Sequence, residues 1–238
     1  MRSWSVYAAA AAVTASLTLV AQTASASVER RDVLSLLRAL TVAPEANSGY
    51  DRDLFPHWDY LGDDCDVRDA VLIAEARSGP ETGDSCPVGA GRWVSAFDGV
   101  SVRNPSDLDV DHLVPLAEAW GSGARTWSTA IREQFANDLG YAKTLIAVTA
   151  SSNRSKGDQD PSEWLPSRTS YRCTYVSSWI GVKYRWRLSI DSQEEAALRV
   201  IATACGNPKI AVPARARSAA GRSHHSRDRD NSWTRHRP

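Results

Sequence analysis

Histidine is scarce in this chain. Five histidines occur in 238 residues, and residues 27–206 contain only His57 and His112. A Ser-His-Asp triad or a histidine-rich zinc site therefore has few positions to draw on. The four cysteines include no CxxC pair, the spacing that structural zinc usually needs. Without repeats, and without a membrane-length apolar run beyond residue 26, the sequence predicts one globular domain.

The first 26 residues have the pattern of a secretory signal peptide. Arg2 precedes an apolar, alanine-rich run over residues 6–20, and Ala24-Ser25-Ala26 is a small-x-small cleavage site. A signal anchor is the alternative, but the run is short and rich in alanine for a membrane span. We therefore expect a secreted protein that is free of the membrane after cleavage.

All four cysteines lie in the exported part. An even number in an oxidising compartment favours two disulfides over a zinc site. Three connectivities are possible, and neighbourhood in the sequence favours Cys65 with Cys86 and Cys173 with Cys205. Each bond would then flank the central motif described below.

The net charge of zero conceals an asymmetry. Beyond residue 206 the chain carries eight Lys and Arg against two Asp, which leaves residues 27–206 with a net charge of −7. The tail, residues 207–238, has few apolar residues, so we expect it to be disordered. It could hold a polyanion by loose phosphate contacts or be a solvated terminus without a task. An acidic body is unusual for a nucleic-acid binder, although a bound divalent cation changes the local charge.

The most informative segment is residues 109–116, Asp-Val-Asp-His-Leu-Val-Pro-Leu. Val110 and His112 continue a period-two alternation, which predicts a strand whose successive side chains face opposite ways. Pro115 cannot donate to a central ladder, so the strand should end near His112. Asp111, a hard oxygen ligand, and His112, a proton acceptor, would then lie on opposite faces at an open rim.

A second strand is predicted at residues 145–148, Leu-Ile-Ala-Val, a short apolar run between polar residues. Residues 152–158, Ser-Asn-Arg-Ser-Lys-Gly-Asp, follow it on a predicted helical turn. Strand, connection, strand and helical turn is the order of a ββα metal finger.

Through these motifs the sequence resembles the HNH endonucleases of the His-Me finger type. It is most similar to the secreted bacterial subgroup with a DHxxP signature, which is related to the C-terminal domain of GmrSD-type restriction enzymes. The resemblance runs from about residue 50 to residue 205 and rests on DHLVPLAEAW, FANDLG and LIAVTASSNRSKGDQDPSEW. It implies an α+β fold with a ββα-metal core, flanking helices and a β-hairpin.

The resemblance also implies a role for each motif position. His112 is the expected general base, Asp111 a metal ligand, and Asn153 the second metal ligand on the finger helix. Arg154 and Lys156 are candidate phosphate contacts, or else solvated residues of a basic helix face. Because Asp111 and Asn153 offer only oxygen atoms, we expect Mg²⁺ or Mn²⁺ rather than zinc.

One position departs from the family pattern. Thr144 stands where HNH proteins have the middle asparagine that braces the loop, so the brace and the reaction rate are in question. Asn153-Arg154-Ser155 also fits a glycosylation sequon. A glycan would occlude the proposed ligand, so the assignment requires a host that leaves the sequon unmodified, as we expect for a bacterial protein.

Periodicity predicts the flanking elements. Helices are expected at residues 28–40, 66–77, 126–137 and 171–188, a helix or turn at residues 115–120, and a last helix from Asp191 to Cys205. Asp191 and Glu194 form the capping box that opens this last helix. Asp98-Gly99 predicts a hairpin over residues 92–102 that extends the sheet of the Asp-His strand.

Other polar and aromatic residues on these elements are assigned to structure. The stripe Tyr175, Trp179, Val182 and Trp186 predicts core packing, with base stacking as the alternative. His57 is expected to be structural or at the surface. Glu118 and Arg132 are expected on solvated helix faces, with a phosphate contact as the alternative for Arg132.

The sequence as a whole predicts a signal peptide at residues 1–26, an HNH nuclease domain at 27–206 with its finger at about 106–160, and the basic tail. We expect a secreted, metal-dependent endonuclease of low sequence specificity that acts on nucleic acid, DNA being favoured over RNA, with no protein partner. The main alternative is a secreted non-catalytic module that binds a polyanion on an HNH scaffold. A second alternative is another metal-dependent phosphodiester hydrolase that acts on cell-surface polymers.

Overall fold

A computed structural model describes residues 29–80, 86, 88–211 and 215–216. The strands are β1 (Arg30–Asp32), β2 (Tyr60–Gly62), β3 (Cys65–Asp66), β4 (Trp93–Val94), β5 (Ser101–Val102), β6 (Leu108–His112), β7 (Leu145–Thr149) and β8 (Lys209–Ala211). The helices are α1 (Val33–Leu37), α2 (Val67–Glu75), α3 (Leu116–Gly121), α4 (Thr129–Ala136), α5 (Ala150–Lys156), α6 (Arg172–Trp186) and α7 (Ser192–Ala204). The strands form four antiparallel pairs, β1–β8, β2–β3, β4–β5 and β6–β7, so the predicted α+β class is confirmed.

The β6–β7 pair lies between two hydrophobic clusters. Opposite residues in the ladder share a face, as Asp111 does with Ile146 and His112 with Leu145. Ile146 belongs to the larger cluster, which is built mainly on α1, α3, α4, α6 and α7. Leu145 belongs to the smaller cluster, which packs against α2 and the β4–β5 hairpin. Both faces of the pair are thus fixed, and so are the directions of its polar side chains.

Helix α5 follows β7 directly, because Thr149 caps it. The Thr149 side chain accepts a hydrogen bond from the backbone N–H of Ser152. The hydroxyls of Thr149 and Ser152 both donate to Asp98, at the turn of the β4–β5 hairpin. The helix ends at Gly157, whose φ of +54° suits glycine. The hairpin therefore anchors the start of the helix that carries Asn153.

The larger cluster contains the predicted aromatic stripe. Tyr175, Trp179, Val182 and Trp186 are all buried on α6, so their assignment to the core is confirmed. Phe135 of α4 packs edge-on against Trp186, with ring centroids 5.3 Å apart. Burying one such phenylalanine stabilises the fold by about 1.5–3 kcal/mol.

Two disulfides close the flanks of the molecule. Cys65 pairs with Cys86, and Cys173 pairs with Cys205, as the sequence predicts. The second bond joins the start of α6 to the residue that follows α7. Neither bond lies within β6, β7 or α5, and both flank them in the chain.

Three predicted elements differ in the structure. The predicted helix at 28–40 is β1 followed by the short α1, because Asp32 caps a helix that starts only at Val33. The β4–β5 hairpin forms at Asp98-Gly99 but pairs only with itself, so it does not extend the β6–β7 sheet. Residues 207–211 are not part of a disordered tail, since β8 pairs with β1 and Ile210 packs on the larger cluster.

The predicted signal peptide, residues 1–26, and tail residues 217–238 lie outside the described residues. In the part of the chain that is described, no helix has the length and apolar character needed to cross a membrane.

Candidate active site

A cleft of about 210 Å³ opens at the end of β6. Its lining includes the polar residues Arg52, Asp111, His112, Asn153, Arg154 and Asp158. The strand ends here because Pro115 has no N–H for the ladder and stands at the N-cap of α3, which begins at Leu116. The structure thus gathers four of the five residues predicted for catalysis, metal binding and phosphate contact around one opening.

The His112 ring is held in one orientation. It is 5 % exposed and stacks between Trp58 and Phe135, at centroid distances of 5.6 and 6.5 Å. Its Nε2 lies 2.9 Å from the Ala136 carbonyl oxygen. A carbonyl only accepts hydrogen bonds, so Nε2 carries the proton and Nδ1 of the neutral ring is a free acceptor.

Burial also fixes the charge of His112. Loss of solvation lowers the pKa of the ring to about 3, and the cations of Arg52 and Lys156 add to this fall. The imidazole is therefore neutral at ordinary pH. A neutral, oriented imidazole beside an open cleft can accept a proton from water.

The Asp111 carboxylate has one bonded and one unbonded oxygen. Its Oδ1 accepts a hydrogen bond of 2.9 Å from the Lys156 ammonium. Its Oδ2 is buried and has no hydrogen-bond partner among the described residues. Burial raises the pKa of Asp111, and the Lys156 ammonium opposes that rise. A buried carboxylate oxygen without a donor, in the wall of a cleft, fits a bound cation.

Asn153 offers a second oxygen to the same cleft. Its Nδ2 donates a hydrogen bond of 3.0 Å to Asp109 Oδ2, which leaves Oδ1 as the available acceptor. Nδ2 is also the atom that a glycan would modify in the sequon. Carboxylate and amide oxygens suit hard divalent cations, so Asp111 and Asn153 are chemically able to hold one together.

The two basic residues of α5 differ in the structure. Arg154 is exposed and lines the cleft. Lys156 has no exposed surface, and its ammonium donates to Asp111 and, at 3.1 Å, to the His112 carbonyl. The expectation of a phosphate contact at Lys156 is therefore corrected, because its charge is already used within the protein.

Two of the polar residues that line the cleft, Arg52 and Asp158, had no predicted role in the site. Arg52 comes from a turn, Arg52–Leu54, that Asp51 caps, and no motif marks it. Asp158 follows Gly157 within the quoted motif but received no role. His57 was expected to be structural or at the surface, and it does not line the cleft. Its Nε2 lies 3.5 Å from Nη2 of Arg52, which does.

Ala136 is the last residue of α4, and the loop that follows it is braced from two sides. The Thr144 hydroxyl donates to Asp138, which also accepts hydrogen bonds from Arg185 and Trp186. Asn137 donates to the Pro56 carbonyl and accepts from the Asp59 N–H. Asn137, within the FANDLG motif, thus braces this loop, a role that the sequence pattern assigns to position 144 alone.

Two further expectations are wrong. Glu118 is buried rather than solvated, and its carboxylate accepts hydrogen bonds from Ser122 and the buried Lys183. Arg132 is also buried, and it donates to the carbonyls of Leu54 and Trp127 rather than to solvent or phosphate.

The last predicted cap is half correct. Asp191 caps α7 by accepting from the N–H groups of Gln193 and Glu194. The Glu194 carboxylate does not complete a capping box, because it bonds to Lys183 at 2.7 Å and to the Trp179 indole.

The chain is similar to a known domain family and to a known secreted protein. Residues 88–201 match the family model of the C-terminal domain of GmrSD restriction endonucleases. The chain is also similar to an uncharacterised secreted protein of Arthroderma benhamiae, with 45 % identity over 172 residues, which cover 72 % of this chain and 83 % of the relative. The prediction of a secreted protein is confirmed, whereas a fungal relative gives no support to a bacterial subgroup. No solved structure matches.

Proposed function

This chain belongs to the same family as the secreted fungal protein, and we propose that it is a metal-dependent endonuclease of low sequence specificity. Its similarity to a restriction endonuclease domain supports a nuclease-like function. The observation that carries the proposal is the cleft, whose lining includes both a neutral His112 with a free Nδ1 and an Asp111 with an unbonded Oδ2.

The proposed fold of the site is a ββα-metal finger of the His-Me type. β6 supplies Asp111 and His112 from opposite faces, and α5 supplies Asn153. Because both proposed ligands are oxygen donors, Mg²⁺ or Mn²⁺ is the proposed ion. A divalent ion held there would neutralise charge on the phosphate and on the departing oxygen.

His112 is the proposed general base. Its Nδ1 accepts a proton from a water molecule as the water oxygen bonds to phosphorus. The bond from phosphorus to the sugar oxygen breaks, and the departing oxygen takes a proton from solvent to become a hydroxyl. The hydrogen bond from Nε2 to the Ala136 carbonyl holds the ring and stabilises the imidazolium that forms. The proton passes from His112 to bulk water before the next cycle.

Nucleic acid is the proposed substrate, with DNA favoured over RNA. Arg52 and Arg154 are exposed side chains at the cleft and can contact phosphate oxygens. Phosphate contacts position a strand without selecting its bases, which agrees with low sequence specificity.

A second candidate is a module that binds a polyanion without cutting it. The observation in its favour is the Lys156 ammonium, which neutralises Asp111 and so weakens any attraction for a metal ion. Metal dependence separates the two candidates, because binding of a polyanion to a basic surface needs no divalent ion.

The proposal is tested by relaxation of supercoiled plasmid with Mg²⁺, with Mn²⁺ and with a chelator. We expect metal-dependent nicking, which His112→Ala should reduce by roughly 10² to 10⁴-fold. Asp107→Ala is the control, because Asp107 is exposed and does not line the cleft. If folded protein leaves both DNA and RNA intact with every metal, the endonuclease proposal is wrong and the polyanion-binding module is favoured.

A further inference from the structure

A second groove, of about 410 Å³, lies between β8, the start of α6 and the loop that precedes β7. It shares no residue with the active-site cleft. Its lining includes three cations, Arg30, Lys143 and Lys209, and no Asp or Glu. Residues 27–206 have a net charge of −7, so a groove lined by cations is locally positive on an acidic domain. We call the surface formed by these three residues and the Cys173–Cys205 disulfide the basic groove.

The β1–β8 ladder presents two of these cations together. Arg30 pairs with Ala211 and Asp32 with Lys209, so Arg30 and Lys209 lie on the same face of the two-stranded ribbon. Arg30 Nη2 also donates a hydrogen bond of 2.9 Å to the Lys209 carbonyl. The one carboxylate on this face, Asp32, is used in capping α1 through the N–H of Ser35.

All three cations keep their charge available. Arg30 and Lys209 are exposed and Lys143 is partly exposed, and none of them forms an ion pair with another described residue. On the other face of the ribbon, Arg31 and Arg215 both stack on the ring of Tyr184, and Arg31 also lies 3.7 Å from the Glu29 carboxylate. The positive charge of the groove therefore rests on Arg30, Lys143 and Lys209.

The lining of the groove also contains apolar groups, among them Tyr141, Ile210 and the Cys173–Cys205 disulfide. Apolar and cationic groups in one lining match a sugar-phosphate chain, in which apolar sugar faces alternate with charged phosphates. A polymer approaching an acidic body gains most where the local charge is opposite to its own.

We propose that the basic groove binds the backbone of a nucleic-acid strand away from the bond that is cut. This inference rests on the proposed function, because it assigns the groove to the same polymeric substrate. The groove holds the strand while the cleft reacts, so Arg30, Lys143 and Lys209 govern affinity for long substrates and leave the chemical step unchanged.

Binding is measured first, by fluorescence anisotropy of a labelled oligonucleotide with the full chain and a chelator, which prevents cutting. The test variant combines Arg30→Glu, Lys143→Glu and Lys209→Glu. A matched control makes the same charge change at three exposed arginines elsewhere, with Arg77→Glu, Arg103→Glu and Arg125→Glu. We expect affinity to fall at least about tenfold more in the groove variant, and its salt dependence to weaken by roughly 0.7–0.9 per lost phosphate contact.

Equal losses in the two variants would overturn the proposal, because they would show only the effect of net charge. Binding of an acidic peptide to the groove, with no competition from the oligonucleotide, would also overturn it in favour of a protein partner. Both results are obtained without catalysis, so they stand whether or not the protein cuts nucleic acid.

Catalysis is measured separately, with bis(p-nitrophenyl) phosphate, which is too small to span cleft and groove. The groove variant should hydrolyse this diester at the rate of the unmodified protein but show a raised KM on plasmid. An equal loss on both substrates would overturn the groove assignment while leaving the endonuclease intact. If the unmodified protein leaves plasmid intact, the proposed function is wrong. The binding comparison would still show whether the groove binds nucleic acid.

Discussion

The ammonium group of Lys156 lies 2.9 Å from Oδ1 of Asp111, and both side chains are buried. The charge of the carboxylate is therefore balanced inside the protein. A divalent ion at Oδ2 would meet a neutral pair and a neutral amide, and would keep most of its charge for the phosphate. An ion held there would therefore bind weakly until phosphate oxygens joined its coordination.

Lys156→Met is expected to lower the stability of the fold and to increase the stabilisation that Mn²⁺ provides. Removing one partner of a buried pair costs about 3–5 kcal/mol, because the other charge is left uncompensated. Without the ammonium, burial raises the pKa of Asp111 further, and a divalent ion becomes the counter-charge that this carboxyl lacks. Mn²⁺ should therefore raise the Tm of the variant more than that of the unmodified protein. Lys183→Met is the control, since Lys183 is equally buried but pairs with Glu118 and Glu194. The same Mn²⁺ shift in all three proteins would contradict the prediction.

Asp109→Ala should lower the affinity for metal, although Asp109 is not itself a proposed ligand. Asp109 fixes the amide of Asn153, and loss of such a supporting contact typically costs about 10–100-fold in metal affinity. The Mn²⁺ concentration for half-maximal cleavage should rise by that factor, and kcat at saturating metal should be retained. Asp109→Asn keeps an acceptor and should recover most of the affinity. Asp107→Ala, at an exposed carboxylate nearby, should change neither value.

Arg52→Ala should lower kcat/KM for plasmid by about 10–100-fold, the value of one charged hydrogen bond. Arg52 lines the cleft beside His112 but is exposed, so its loss should leave the Tm almost unchanged. Arg125→Ala removes an equally exposed arginine that lies outside the cleft, and steady-state kinetics of both variants provide the comparison. Equal kinetics for the two would remove Arg52 from the site.

Glu45→Gln should flatten the dependence of stability on pH. Burial and the neighbouring Glu118 carboxyl raise the pKa of Glu45 from 4.5 to about 7. Between these values the folded state holds a proton that the unfolded state has lost, so the free energy of unfolding falls as pH rises through this window. Glutamine cannot ionise and removes this contribution.

The measurement is the urea midpoint of unfolding at pH values of about 5 and about 8. Glu163→Gln, at an exposed position, serves as control and should retain the slope of the unmodified protein. A slope that persists in Glu45→Gln would show that other groups carry it, Glu194 being the first to examine because its pKa is also raised to about 7.

The central elements could be predicted because their signals are local. Alternation and a proline placed Asp111 and His112 at the end of a strand, and β6 ends there. Thr149 and Gly157 bound α5 by capping and by a positive φ, which short-range sequence also encodes.

Lys156 could have been predicted as buried from the same reasoning. Asn153 and Lys156 are three residues apart on one helix, so they share a face. That face packs on β6, where Asn153 bonds to Asp109 and Lys156 bonds to Asp111. Arg154, one position after Asn153, lies off this face and is exposed at the cleft. The two basic residues of α5 therefore have different environments.

Long-range partners could not be predicted in this way. Glu118, Lys183 and Glu194 lie on three different helices, and each alone has the pattern of a solvated charge. They become buried because they bond to one another, which only the packing of α3, α6 and α7 reveals. Arg52 reaches the cleft for a similar reason, since its turn packs beside a strand distant in sequence.

The two disulfides have a consequence for when the protein matures. Such bonds persist in oxidising surroundings but not in a reducing cytosol, so before export the chain lacks about 2–4 kcal/mol of stability for each bond. Plasmid cleavage with and without a reductant would measure the effect. For a protein proposed to cut nucleic acid, this delay keeps its most stable form apart from the genome of the cell that makes it.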